Sequence, residues 1–325
     1  MAILKRMIVL FLIMVIGFIA RKREIIDAHM EKKLASLVIY ITSPCMVLAG
    51  VLGESELTRA ETLRMMGLTW IIFAVIVASS FLVQPILRVS GKPEGQIYQM
   101  LYAFPNVGFM GFPVMAAAFG NESLRYGALF ILPFNTLIFT FGIYLMRRGQ
   151  AIRLRQEALA AGREPEIPPK GSLWSQLKRI LNIGVVVCII AELCFFLNLT
   201  IPAVVLEACT MVGDMTGPIC MIAIGAALSG LDFKKVITDP RMWGVCVLKL
   251  LVMPVAGFYL LRLCGVSDPL VLGVCLVVLG MPSGNLCAML AQEFGGDVKL
   301  SSAGVAFTSL LAVATIPAVF RLCGM

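Results

Sequence analysis

Apolar runs alternate with short polar breaks along the whole chain, and ten runs reach the roughly 17–25 residues that a membrane-spanning helix needs. They cover residues 3–20, 35–52, 66–87, 97–118, 125–146, 180–198, 204–229, 242–263, 269–291 and 302–322. The longest polar stretch, 147–179, begins RRGQAIRLRQEALAAGREPEIPPKGS. Its Pro-rich part reads as an extended linker, and Arg147 to Ala161 as a surface helix. The insert separates five spans from five. Two runs are interrupted in the same way: YAFPNVGFMGFPVMAAAFG (Tyr102–Gly120) in the fourth and VLGMPSGNLCAMLAQEFGG (Val278–Gly296) in the ninth. Proline removes a helical hydrogen bond and clashes with the preceding turn. Lipid cannot satisfy the freed backbone groups, so such breaks survive only inside protein or beside a water-filled cavity.

Composition agrees with the pattern. The chain is 59% hydrophobic and 14% charged, with mean hydropathy +0.93, whereas a soluble domain carries about 25% charged residues. The reading is an integral membrane protein. The net charge of +8 does not signal nucleic acid, because the basic residues lie in short loops and form no basic face. Of the 27 Lys and Arg, 19 follow the odd-numbered spans, seven lie on the opposite side, and Lys249 sits within the eighth span. The positive-inside rule then places 147–179 in the cytoplasm and both termini outside a bacterial-type inner membrane. Lys5 and Arg6 oppose this weakly. No small-residue cleavage site follows the first run, so it reads as an uncleaved helix. The ten cysteines form no CxxC pair and mostly lie in apolar runs, where they behave as small buried hydrophobes.

The halves echo each other. Pro44 matches Pro218 after 174 residues, Pro105 matches Pro282 after 177, Phe119-Gly120 matches Phe294-Gly295 after 175, and FNTL at Phe134 matches FTSL at Phe307 after 173. Five spans per half reverse the orientation of the second half. The predicted fold is therefore an all-α membrane protein of ten transmembrane helices, arranged as two inverted five-helix repeats (1–146 and 180–325) joined by the loop 147–179. Paired breaks in corresponding positions of two such repeats are the sequence mark of a secondary transporter's binding site.

At each break, half-helix N-termini present unpaired N–H groups and a positive dipole end, which suits a carboxylate. Asn106 and Asn285 add donors and acceptors there, beside Ser283. Asn135, Thr136, Thr308 and Ser309 occupy the equivalent FNTL and FTSL stretches and either line the same cavity or make hydrogen bonds between helices. Ionisable residues at membrane depth are functional candidates by default: Glu192, Glu207, Asp214 and Lys249. Asp214 lies four residues before Pro218, on its face of the helix. Lys249 lies about 12 Å into the membrane, counted from Arg241 at 1.5 Å per residue. Its open roles are pairing with a carboxylate, attracting an anion, and carrying a coupling proton.

FPNVGFMGFPVM followed by AFG, and MPSGNLCAMLAQEFGGD, resemble the two crossover segments of the auxin efflux carrier superfamily, over essentially the whole chain. The resemblance implies broken crossover helices 4 and 9 that cross near the midplane with substrate at the crossing. Helices 1, 2, 6 and 7 would form a scaffold and helices 3–5 and 8–10 a moving transport domain of elevator type. On it, Asn106 and Pro113 match the first motif, Pro282 and Gly284 the second. Cys287 stands where the plant pattern has another proline, which predicts a gentler second break. The implied cargo is a small organic anion, with dicarboxylates such as malonate or malate favoured, and a homodimer is implied as well.

No HExxH or GxSxG motif is present, one Asp at a helix centre is too few for an aspartyl protease, and the single histidine, His29, sits in a loop. The reading is a non-enzymatic carrier without cofactor or metal; proton and sodium coupling stay open. A sodium/proton antiporter of the same fold would want paired carboxylates at the crossover, and a non-transporting receptor would want a signalling domain.

Overall fold

The computed structural model describes residues 2–52, 59–162, 183–197, 199, 201–229 and 237–325. Among these residues the chain is helical, with no strand. Most of the expected linker and the start of the sixth span lie outside the described residues, and so do the side chains of Lys5, Arg6 and Glu192.

Helix α1 covers Ala2–Lys22, α2 Ala28–Leu37 and α3 Ser43–Leu52, the last two joined by a π-helical turn, Val38–Thr42. Asp27 accepts a hydrogen bond from the Met30 amide at 2.6 Å, which holds its carboxyl below the usual range and starts α2 well before residue 35. Helices α4 (Arg59–Ser80) and α5 (Val83–Ile86) form the third span, and α6 (Pro93–Ala103) opens the fourth. After the first break come the π turn Val107–Gly111 and α7 (Phe112–Phe119). The fifth span is α8 (Glu122–Ala128), α9 (Ile131–Leu137), a π turn and α10 (Ile143–Ala160). Its helix runs on through Ala160, so the start of the expected loop 147–179 continues the span.

The second half holds α11 (Ile183–Phe196), α12 (Ala203–Asp214), α13 (Thr216–Ser229) and α14 (Pro240–Val247). The π turn Leu248–Val252 leads into α15 (Met253–Leu263). Then follow α16 (Pro269–Gly280), α17 (Leu286–Glu293) and α18 (Val298–Leu322). The starts have local causes. Asp239-Pro240 and Asp268-Pro269 pair an acceptor with a proline that needs no N–H in the first turn. Asp239 accepts from the Arg241 amide at 3.0 Å and Asp268 from the Leu270 amide at 2.7 Å. Asp297 accepts from the Leu300 amide at 2.9 Å and starts α18.

Among the described residues, five stretches are long and apolar enough to cross a membrane: Ala60–Ile86, Glu122–Ala160, Ala203–Ser229, Pro240–Leu263 and Val298–Leu322. Large apolar side chains face outward, among them Leu263 at 85% exposure and Val204 at 77%. A water-facing surface would not tolerate so many of them together, whereas hydrocarbon does.

Two glycines set the closest helix crossing. A Cβ on Gly225 would lie 1.9 Å from the Met14 carbonyl oxygen, and one on Gly17 2.2 Å from that of Ile222, so α1 and α13 touch backbone to backbone. At the centre, Gln99 and Tyr102 of α6 are buried polar side chains that pair rather than face lipid. Gln99 donates to Ser80 Oγ at 3.1 Å and accepts from Gln84, while the Tyr102 hydroxyl lies 3.1 Å from Ser79 Oγ.

Candidate functional site

The two breaks meet. Phe104 and Met281, each preceding a proline, leave the helix for extended backbone, at ψ 99° and 143°. Asn106 N–H then donates to the Pro282 carbonyl at 2.8 Å, and Gly284 N–H to the Phe104 carbonyl at 2.9 Å. Pro105 and Ser283 thus form one antiparallel bridge in the middle of a helical protein. The two interrupted segments satisfy each other's backbone where lipid could not. Pro282 alone suffices for the second interruption. It leaves residues 281–285 outside the helix, with Gly284 N–H held by the Phe104 carbonyl, whereas the first leaves 104–106 and then passes through the π turn Val107–Gly111.

The Leu101 and Tyr102 carbonyls at the end of α6 would be orphans; the second half of the chain caps them. Ser283 Oγ donates to the Leu101 carbonyl at 2.7 Å, Lys249 Nζ to that of Tyr102 at 2.7 Å, and Cys287 Sγ to that of Met100 at 3.7 Å. Thr308 Oγ1 accepts from Ser283 N–H at 3.1 Å and donates to the Gly304 carbonyl at 2.8 Å, which ties α18 to the second break. Gly120 and Gly295 close the segments beyond each break with positive φ, 82° and 69°, a conformation glycine adopts at little cost.

Asn106 has two jobs. Its Oδ1 accepts from the Phe109 amide at 3.2 Å and caps the π turn into α7. Its Nδ2 is buried with no hydrogen-bond partner among the described residues. An unpaired buried amide donor costs about 1–3 kcal/mol, so this atom is poised for an acceptor. Asn285 flanks the N-terminus of α17 without capping it. It is half-buried and lines a cavity of about 530 Å³ with Glu31, Ala223, Gln292, Ser302 and Ser309. The cavity lies between α2 and α13 on one side and α17 and α18 on the other, and among the described residues no Lys or Arg lines it.

The structure brings Asn106, Pro282, Ser283, Gly284, Asn285 and Thr308 together at the crossing. The Ser283 and Thr308 hydroxyls are committed to backbone there. Pro113 is buried against Gly217 of α13, between the broken segment and its neighbour. Asn135 is buried and donates to the Ile131 carbonyl of its own helix at 3.0 Å, and Thr136 does likewise to Leu132 at 2.8 Å. Asp214 ends α12 exposed, beside a cavity of about 40 Å³ formed with Asn121 and Thr210, apart from the crossing. Glu207 is exposed, as is His29. Lys249 is fully buried, and among the described residues no carboxylate pairs with it. The set that sequence reasoning missed is the caps of α6; only the polarity of Ser283 and Lys249 in apolar runs hinted at them.

A multi-span helical protein with two broken helices joined beside a cavity has the build of a membrane transporter. The family model described as membrane transport protein matches residues 2–320, and the chain belongs to that family, the auxin efflux carriers whose crossover motifs it resembles. It is 24% identical over 316 residues to an uncharacterised transporter of Methanocaldococcus jannaschii, covering 95% of each chain. It is 27% identical over 324 residues to an uncharacterised transporter of Methanothermobacter thermautotrophicus, covering 88% of this chain and 96% of that one. A protein of Rhizobium meliloti with the name "Putative malonate transporter" is 24% identical over 287 residues, covering 87% of this chain and 84% of its own. The family and these relatives are transporters, not enzymes.

Proposed function

We propose that this chain carries a small organic anion, a dicarboxylate such as malonate in the first instance, across the inner membrane by alternating access of elevator type. The fold would be ten spans in two inverted repeats, with α4–α10 and α14–α18 moving against a scaffold of α1–α3 and α11–α13. The observation that carries this reading is the buried Asn106 Nδ2 at the crossing, which has no hydrogen-bond partner among the described residues, together with the cavity that Asn285 lines at the N-terminus of α17. An amide donor and a helix N-terminus together stabilise a carboxylate without a full positive charge. The name of the Rhizobium meliloti relative points to the same cargo class.

With both termini outside, the 530 Å³ cavity between α2 and α18 opens to the cytoplasm, and the conformation is inward-facing. A sodium/proton antiporter would place paired carboxylates at the crossing. The cavity lining holds one acid, Glu31, at its rim on α2. The test is uptake of labelled malonate by proteoliposomes. Uptake in the wild type that unlabelled malate competes away supports the reading, and sodium- or proton-driven counter-ion flux without any anion uptake would overturn it.

A further inference from the structure

We propose that the cavity where α6, α10 and α18 meet is a ligand site separate from the crossing. Its occupant is a neutral small molecule of the cytoplasm with a planar edge that sets a hydrogen-bond donor beside an acceptor, as an adenine base or a primary carboxamide does. The cavity holds about 510 Å³, within the range of small-molecule sites. Both α6 and α18 begin at it, and the run-on of α10 walls it with Met146, Gly149, Arg153 and Gln156, which share one helical face. Gly149 lets the helices close: a Cβ there would lie 3.4 Å from the Gln96 side chain and from the Pro93 carbonyl oxygen. The basic loops put this end of the helices in the cytoplasm.

Gln96 carries the inference. It lines the cavity and is 1% exposed. Among the described residues neither its Nε2 nor its Oε1 has a hydrogen-bond partner, whereas Gln99 and Tyr102 of the same helix are paired. A buried amide unsatisfied at both atoms is costly, and native structures keep few such groups without a cause. The amide donates through Nε2 and accepts through Oε1 in one plane. Its full complement is an acceptor beside a donor, the pattern through which glutamine reads adenine. The start of α6 adds first-turn amides, since Lys92 supplies no side-chain cap. The charges do not favour a strong anion: Arg153 and Lys299 stand against Glu94, Glu157 and Asp297. Arg153 Nε lies 3.8 Å from Glu157, and Asp297 is committed to the α18 start. The lining therefore suits a neutral ligand and not a dicarboxylate. Phe104, where α6 breaks, lies eight residues beyond Gln96, about 12 Å along the helix, so the two sites are distinct places on one helix.

The test is equilibrium dialysis of the purified full-length protein against labelled adenosine and labelled nicotinamide, with thermal unfolding alongside. At least one of the two should bind saturably, raise the melting temperature and resist displacement by malonate. Adenosine alone assigns a nucleobase site, and nicotinamide alone a carboxamide site. Gln96→Met, which keeps the bulk and removes the amide, should weaken that binding at least about tenfold. Without ligand it should melt no lower than wild type, because it leaves no unpaired amide; a purely structural glutamine would show a loss instead. Purine riboside and nicotinic acid, which lack the donor amine of adenosine and nicotinamide, should bind wild type about tenfold more weakly. That comparison decides alone if Gln96→Met does not fold. No binding of either probe, equal binding of the donor-less analogues, wild-type affinity in Gln96→Met, or competitive displacement by malonate overturns the proposal.

Discussion

Asn106 is where the account exposes itself most. Its Oδ1 caps the turn into α7 and its Nδ2 waits unpaired among the described residues. Asn106→Ala removes both, and Asn106→Asp removes only the donor. Loss of a cap costs about 0.5–2 kcal/mol of stability. Loss of a hydrogen bond to a charged ligand costs about 1.5–3 kcal/mol of binding, which is a weakening of about ten- to 150-fold at 1.4 kcal/mol per decade. Asn106→Ala should therefore lower both the melting temperature and the affinity. Asn106→Asp keeps an acceptor at a helix start, where negative charge is tolerated, and should hold its melting temperature while losing affinity at least as much, since it sets a carboxylate against a carboxylate. The assays are thermal unfolding and concentration-dependent malonate uptake in proteoliposomes. If Asn106→Asp takes up malonate with the wild-type KM, Nδ2 is not a cargo donor and the site assignment fails.

Other consequences are separable. Gly225→Ala would press a methyl group against the Met14 carbonyl at 1.9 Å, and such overpacking costs about 1–3 kcal/mol; a markedly lower melting temperature checks it, and an unchanged one refutes the close α1–α13 contact. Thr308→Val leaves the Ser283 amide without its acceptor, a loss of about 1–3 kcal/mol for a buried donor; thermal unfolding should show it, while Thr308→Ser should melt close to wild type. Ala306→Trp fills part of the cavity shared with Asn285 and should block uptake without preventing folding, as judged by size-exclusion chromatography. Gln292→Cys, at the exposed rim of that cavity, should react with an impermeant maleimide from the cytoplasmic side of inside-out vesicles and not from the other side of intact cells; the reverse pattern contradicts the assigned orientation.

The two breaks were legible because their cause is local: a proline forces the residue before it out of the helix, and Phe104 and Met281 obey. The run-on of α10 to Ala160 was half legible. Residues Arg147–Ala161 read as helical, but their charge suggested a separate surface helix, and continuity through Arg147 and Arg148 is decided by the unbroken backbone ladder rather than by hydropathy. Tertiary contacts erased the rest. The capping of Leu101, Tyr102 and Met100 by Ser283, Lys249 and Cys287 joins residues more than 140 positions apart, and no periodicity encodes that. Cys287 in place of a proline suggested a milder second break; Pro282 interrupts the helix there without a second proline, and Gly284 N–H is held by the Phe104 carbonyl. Asp214 looked equal to Lys249 as a charge at membrane depth; α12 ends at it, and it faces outward.

Counterflow tests the central claim most directly. Proteoliposomes containing the wild-type chain, preloaded with unlabelled malonate and diluted into labelled malonate, are compared with protein-free liposomes and with Asn106→Asp. The account predicts transient accumulation of label in the wild type alone, competed by malate. Folded wild-type protein that accumulates no label with any small organic anion offered would contradict it.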